Sequence, residues 1–273
     1  MRGPLFAALS TTLLASALSL YPSTASGQGV CGQYTLAFYE LGALYYRNAA
    51  GEHVGIDKDV VDELSRRSGC KFSTVVESRV RIWDQLAKHK LDLSVSGIAT
   101  PERQQFAEFL PYFQTRNFAL LRRDLAATIM TPDAFLADPL RRVAVVKSFK
   151  HGPVFDAWLA QLRGQRRVEE LPDFDSVLRV FKAGRVDAML ALPTSLARVP
   201  GADPMLDQIS IMDWAPNDSI AHALIVSRER VSPADLALLR AGLQSMQKDG
   251  ALEAIFRRHV DSSLAHVMRL ESP

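Results

Sequence analysis

The chain has 273 residues, of which 48% are hydrophobic and 23% charged, with 32 basic against 30 acidic side chains and a formal net charge of +2. That balance argues against nucleic acid or a membrane surface as a partner. The length suits two modest domains or one large one.

The N-terminus reads as an export signal. Arg2 is followed by PLFAALSTTLLASALSLY, an uncharged and largely apolar run, and then by PSTASGQG with small residues at cleavage positions. This is the layout of a secretory signal peptide over residues 1–27, removed near Ala25 to Gly27. Ser and Thr interruptions and the small-residue exit argue against a retained anchor, and Gly-Val before Cys31 is a poor lipobox. No later stretch is long and apolar enough to span a bilayer. A soluble periplasmic protein is expected.

Both cysteines, Cys31 and Cys70, lie beyond the signal. Each precedes a strand-like run, YTLAFYE (34–40) and KFSTVV (71–76). If those strands are parallel neighbours, their starts share a sheet edge within disulfide reach, and an oxidising compartment favours the bridge. Two thiols and six scattered histidines offer no metal-ligand spacing, so neither metal nor cofactor is expected.

In chain order, strand 34–40 is followed by a helix through VVDELSRRS, capped by Asp57, with Val60, Val61 and Leu64 inward and Gly69 as its stop. KFSTVV is a strand, RIWDQLAKHK a helix with Ile82 and Leu86 inward, and LDLSVSG (91–97) a third strand. The turn GIATPER then offers Thr100 as an N-cap, Pro101 at the first helical position and Glu102 beside the helix dipole. Arg103 is a first-turn cation, locally unfavourable at a helix N-terminus. It reads either as a solvated surface residue or as part of an anion site built from free backbone N–H groups and a guanidinium fork.

A second set begins near residue 142. RRVAVVK is a strand, SFKHGP leads into a helix over VFDAWLAQL with Pro153 at its start, VEELP follows, then a helix through FDSVLRVFKAG and the strand VDAMLAL. FALLRRD (118–124) and HALIVSRE (222–229) read as extended crossings. One final helix is expected over DLALLRAGLQSMQKDGALEAIFRRH, packed on the first lobe. Alternating strands and helices predict two α/β lobes joined by two crossover strands, with a ligand cleft between them.

These stretches carry a resemblance. GIDKDVVDELSRRSGCKF, WDQLAKHKLDLSVSGIATPERQQFAEFLPYF, KAGRVDAMLAL and LLRAGLQSMQKDGALEAIFRRH resemble the family 3 extracellular solute-binding proteins, which serve ABC importers of polar amino acids, over about residues 33–260. The resemblance implies the type II periplasmic binding protein fold. Lobe 1 is then expected over 28–120 with 222–265, lobe 2 over 121–221, and a tail over 266–273. Closure is expected about hinges near 118–123 and 220–226.

The resemblance also assigns a site. Arg103 maps to the arginine that pairs with a ligand's α-carboxylate, and Ser96, Gly97 and Ile98 to the strand exit that adds hydrogen bonds. Three positions depart from the family pattern: Ala99 supplies no hydroxyl, the aromatic lid falls at Gly42 with Tyr39, Tyr45 or Tyr46 as replacements, and Leu192, five residues past Asp187, stands where an acid grips the α-ammonium. Glu40 is a candidate to replace that acid. Lys147, Lys150 and His151 near a helix start, with Arg79 and Arg81, make the expected cleft cation-rich, favouring an anionic or zwitterionic solute. The expected partners are that solute and an inner-membrane ABC permease, with the chain itself a monomer. Two other classes remain open: a ligand-reading subunit of a receptor or oxidation system, and a dehydratase-like periplasmic enzyme, although no G-x-S-x-G, HExxH or Walker motif occurs beyond the signal.

Overall fold

The computed structural model describes residues 31–270 apart from Pro200 and Ala202, together with Met1 and Gly3. The expected signal, save those two residues, lies outside the described residues. In chain order the first lobe holds β1 (Gln33–Phe38), a hairpin of β2 (Tyr46–Arg47) and β3 (His53–Val54), α1 (Ile56–Ser68), β4 (Lys71–Val76), α2 (Arg79–Ala87), β5 (Leu93–Gly97) and β6 (Ala107–Thr115). The chain then crosses to β7 (Phe118–Arg122), α3 (Pro132–Ala137), β8 (Val143–Val146), α4 (Pro153–Gly164), β9 (Val168–Leu171), α5 (Phe174–Lys182), β10 (Ala188–Ala191), α6 (Pro193–Leu196) and β11 (Ile209–Met212). It returns through β12 (Ile220–Ser227) and ends in α7 (Pro233–Lys248), α8 (Ala251–Phe256) and α9 (Ser262–Val267).

The sheets run β4-β1-β5-β12-β6 and β11-β7-β10-β8-β9. In each, three parallel strands meet antiparallel strands belonging to the crossings. This is the two-lobed α/β architecture that the alternation of elements predicts, and the type II periplasmic binding protein fold that the resemblance implies. On α1 the inward face is Val60, Val61 and Leu64, packed toward α7 and α8. Asp57 is not the cap of that helix; Gly55 is, and Asp57 is a fully buried residue of its first turn.

The two crossings are short. β6 ends at Thr115 and β7 begins at Phe118, while β11 and β12 are separated by residues 213–219. Sheet membership therefore changes at 116–117 and 213–219, earlier than the expected breaks at 120 and 221, and Phe118–Arg122 lies wholly in the second sheet. Arg116 ties the crossings together, pairing with Asp213 at 2.7 Å. At the other end, Met268 is buried and its carbonyl accepts from Gln114 N–H at 2.9 Å, so the first lobe runs through α9 rather than stopping at 265. The expected single last helix is two, because Gly250 adopts a left-handed φ of 80° between α7 and α8.

β1 and β4 pair in parallel with Gln33 opposite Lys71, and Cys31, two residues before the first, is bridged to Cys70, one before the second, with Cα atoms 4.6 Å apart. Both cysteines are buried. Replacing both by serine is expected to lower the free energy of unfolding by roughly 2–4 kcal/mol, because the link restricts the unfolded chain. Urea denaturation measures this directly, and an unchanged midpoint and slope would contradict it.

Candidate functional site

The carboxyl ends of β1 and β4 and the start of α2 face the ends of β8 and β9 across the lobes. Between them lies a cavity of about 320 Å³, lined from the first lobe by Tyr39, Glu40, Ser78 and Arg79 and from the second by Val146, Phe149, Asp173 and Phe174. Arg79 lines it, and Arg103 lies beside Arg79 on the same Trp83 ring; both are nearly buried, at 3% and 8% exposed.

Arg79 is the first residue of α2, where Ser78 caps the helix. Its guanidinium donates to the carbonyls of Val95 (3.3 Å) and Ser96 (2.8 Å) and lies 3.8 Å from the centre of the Tyr39 ring. Its Nε and the Tyr39 hydroxyl are buried without a partner among the described residues. Arg103 follows the turn after β5. It donates to Ile98 O (2.9 Å) in its own lobe and to Ser148 O (2.9 Å) in the other, and stacks on Trp83 at 3.7 Å. Among the described residues neither arginine has an ion-pair partner. Burial, then the neighbouring Arg79, brings Arg103 down to about 9, so it remains a cation at neutral pH. Burial also lowers Arg79. Two desolvated cations side by side are costly until an anion joins them.

The nearest buried acid stands behind them. Asp57 accepts from Ser96 Oγ (2.8 Å) and Tyr112 OH (2.5 Å). Ser96 holds a left-handed φ of 50°, stabilised by its N–H bond to Tyr112 OH (2.9 Å) and by Arg79 on its carbonyl. Burial pushes Asp57 up to about 7, against the opposing hydrogen bonds from Tyr112 and Ser96 and the Arg79 charge. The folded protein thus keeps a proton that the unfolded chain releases near 3.8, and Asp57 contributes stability that is lost as pH rises through about 7. Buried His151 and His222 act the other way: burial holds each down to about 3, so their contribution is lost as pH falls from 6.5 through about 3. Asp57→Asn removes only the first effect. Relative to wild type, its melting temperature should climb from pH 4 to about 7 and then level. A constant difference across that range would contradict the assignment.

The TPER turn is not an α-helix. Residues 103–105 make one tight turn, and β6 begins at Ala107. Its cap position is Glu102 rather than Thr100, although the Thr100 hydroxyl accepts from Arg103 N–H at 3.2 Å and Gln104 N–H goes to Thr100 O. The backbone donors expected for an anion are therefore used within the turn, leaving the guanidinium. The carbonyls of Ser96 and Ile98 likewise serve the two arginines, while Gly97 pairs with Ala223 of β12.

The other expected residues separate. Glu40 is at the cavity mouth, half exposed, beside His53 (3.3 Å) and Arg47 (3.5 Å). Tyr45 stacks between Phe38 and His53, and Tyr46 lies under Arg198. Lys147 is exposed, Lys150 turns toward Asp156 (3.8 Å) and Arg81 pairs with Glu77 (3.2 Å). Of the expected cations, Arg79 and Arg81 line the cavity, Arg81 exposed and paired with Glu77, while Arg79 and Arg103 are the buried ones. Leu192 and His151 are buried together in a small recess with Ser195, sharing Leu41, Val146, Phe149 and Phe174 with the main cavity. Sequence reasoning missed the apolar wall of Phe149 and Phe174, and Asn117, which bonds His151. Trp83 as a platform for Arg103 had one available signal, an aromatic on the inward face of RIWDQL.

Solved structures share this architecture. An ancestral arginine-binding protein bound to arginine superposes with a TM-score of 0.70 at 18% identity, covering 84% of this chain and 99% of that one. The substrate-binding protein AbpA of an amino acid ABC transporter from Streptococcus pneumoniae, bound to L-arginine, gives 0.70 at 17%, covering 85% and 96%. The GluR0 ligand-binding core from Nostoc punctiforme, in complex with L-glutamate, gives 0.67 at 17%, covering 84% and 99%. Among curated protein sequences none matches. The model of the bacterial extracellular solute-binding proteins, family 3, matches residues 42–262. With that match over most of its length, and the two-lobed fold around an interlobe cavity, the chain belongs to the bacterial extracellular solute-binding proteins of family 3.

Proposed function

We propose that this protein captures a small carboxylate-bearing solute in the periplasm and presents it to an ABC permease, without turning it over. The single observation that supports the reading most is the pair of buried guanidiniums without an ion-pair partner among the described residues, Arg79 in the wall of a cavity of solute size and Arg103 beside it on the Trp83 ring. A carboxylate there gains a charge-assisted fork from one arginine and neutralises both. The export signal and the family's relation to importers support the periplasmic setting and the permease.

Thermal-shift screening against amino acids, dicarboxylates and simple organic acids tests this. A solute at about 100 times its dissociation constant should add about 2.7 kcal/mol of stability. Hits should be carboxylates and should be recovered chemically unchanged after long incubation. Stabilisation only by neutral sugars or by cations, or conversion of the bound acid, would overturn the reading.

A further inference from the structure

The recess behind Phe149 holds a hydrogen-bonding group whose state is fixed by its neighbours. His151 is 3% exposed and precedes α4. Asn117, in the first crossing, is 1% exposed. Its amide nitrogen donates to the His151 carbonyl at 3.2 Å, which turns its oxygen toward His151 Nδ1 at 3.0 Å. An amide oxygen can only accept, so Nδ1 carries the proton. Burial first, then the Arg163 and Lys150 charges, holds the ring down to about 3, so the imidazole is neutral. Nε2 is therefore a bare lone pair, and it has no partner among the described residues.

The recess it lines, with Leu192 and Ser195, measures about 10 Å³, room for one water-sized group. No carboxylate lines it. The Phe149 ring lies 5.7 Å from the Arg79 guanidinium carbon and 5.0 Å from the His151 ring, and it lines both the main cavity and the recess, as do Leu41, Val146 and Phe174. An ammonium brings three donors and a charge to a neutral wall and pays desolvation there. A hydroxyl brings one donor, with its lone pairs left for the Ser195 hydroxyl, which is also unpartnered among the described residues.

We propose that His151 Nε2 accepts a hydrogen bond from the solute, making the preferred ligand a hydroxycarboxylate rather than an α-amino acid. This rests on the carboxylate reading given above. Calorimetry on matched sets tests it: lactate, alanine and propionate; malate, aspartate and succinate; phenyllactate, phenylalanine and phenylpropionate. In the set that fits the cavity, the hydroxy acid should bind at least about tenfold tighter than the amino acid and than the unsubstituted acid.

His151→Phe should drop the hydroxy acid to the level of the unsubstituted acid, whose own affinity should move little. His151→Gln keeps an acceptor oxygen and should retain part of the preference. If the phenylalanine variant does not fold, the glutamine variant and the nitrogen NMR spectrum of wild-type His151 decide, the expected form being neutral and protonated at Nδ1 at about pH 6. An amino acid binding tightest, an Nε2-protonated ring, or variants that weaken all three acids equally would overturn the inference while leaving the carboxylate site standing. If no acid binds, or binding ignores Arg103→Ala, the carboxylate reading itself fails and this inference with it.

Discussion

Arg103→Ala is expected to weaken carboxylate binding by two to three orders of magnitude, about 3–4 kcal/mol, because the ligand's charge would be left buried without its fork. The free protein should barely notice. Arg103 has no ion-pair partner among the described residues and its contacts are two carbonyls and the Trp83 face, so removing it also removes a desolvated charge. Its unfolding temperature should hold, while the ligand-induced shift disappears. Arg103→Lys should recover only part of the loss, since an ammonium cannot form the two-pronged contact and stacks less well on an indole. Calorimetry on the three proteins with one verified acid settles the matter. Equal affinities would remove Arg103 from the site, and a parallel collapse of free-protein stability would make its role structural.

The fold was legible wherever a local pattern decides. Short strand-like runs gave β1, β4 and β5, and the apolar stripe of α1 and the paired cysteines placed their neighbours, because each signal depends on residues close in sequence. β6 was not read as a strand, since Pro111 interrupts it. It tolerates proline because it is an edge strand whose register shifts beside that residue, opposite Ala223. The site was less legible. Arg103 stood out through its motif, but Arg79, Arg81, Lys147 and Lys150 look alike in sequence. Only topology, which sets the start of α2 under the end of β1, buries Arg79 and leaves the other three to solvent or to nearby acids. His151 drew notice as a cation, and its neutral state depends on Asn117, 34 residues away.

Gly42→Ala is expected to hold the lobes apart. Gly42 has a left-handed φ of 50°, and a Cβ there would lie 2.4 Å from Ser195 Cα and 2.6 Å from Thr194 O, both backbone of the opposite lobe. Next to it, Ala43 N–H donates to Thr194 O at 2.8 Å across the same contact. Neither neighbour is a side chain that can swing aside, so one methyl group must open the contact by about 1 Å or more. Capture that requires the closed form then falls in proportion to the closed fraction, on the order of a hundredfold in affinity. Scattering should show a larger radius with saturating acid than wild type has. The backbone cost of a left-handed alanine must be separated from the clash, and Gly51→Ala does so. Gly51 has φ 82° with nothing within 4 Å of its would-be Cβ. That variant should lose about 1 kcal/mol of stability and bind as wild type does. If Gly42→Ala instead behaves like Gly51→Ala, the Gly42–Ser195 contact plays no part in capture, and closure must be sought elsewhere along the cleft.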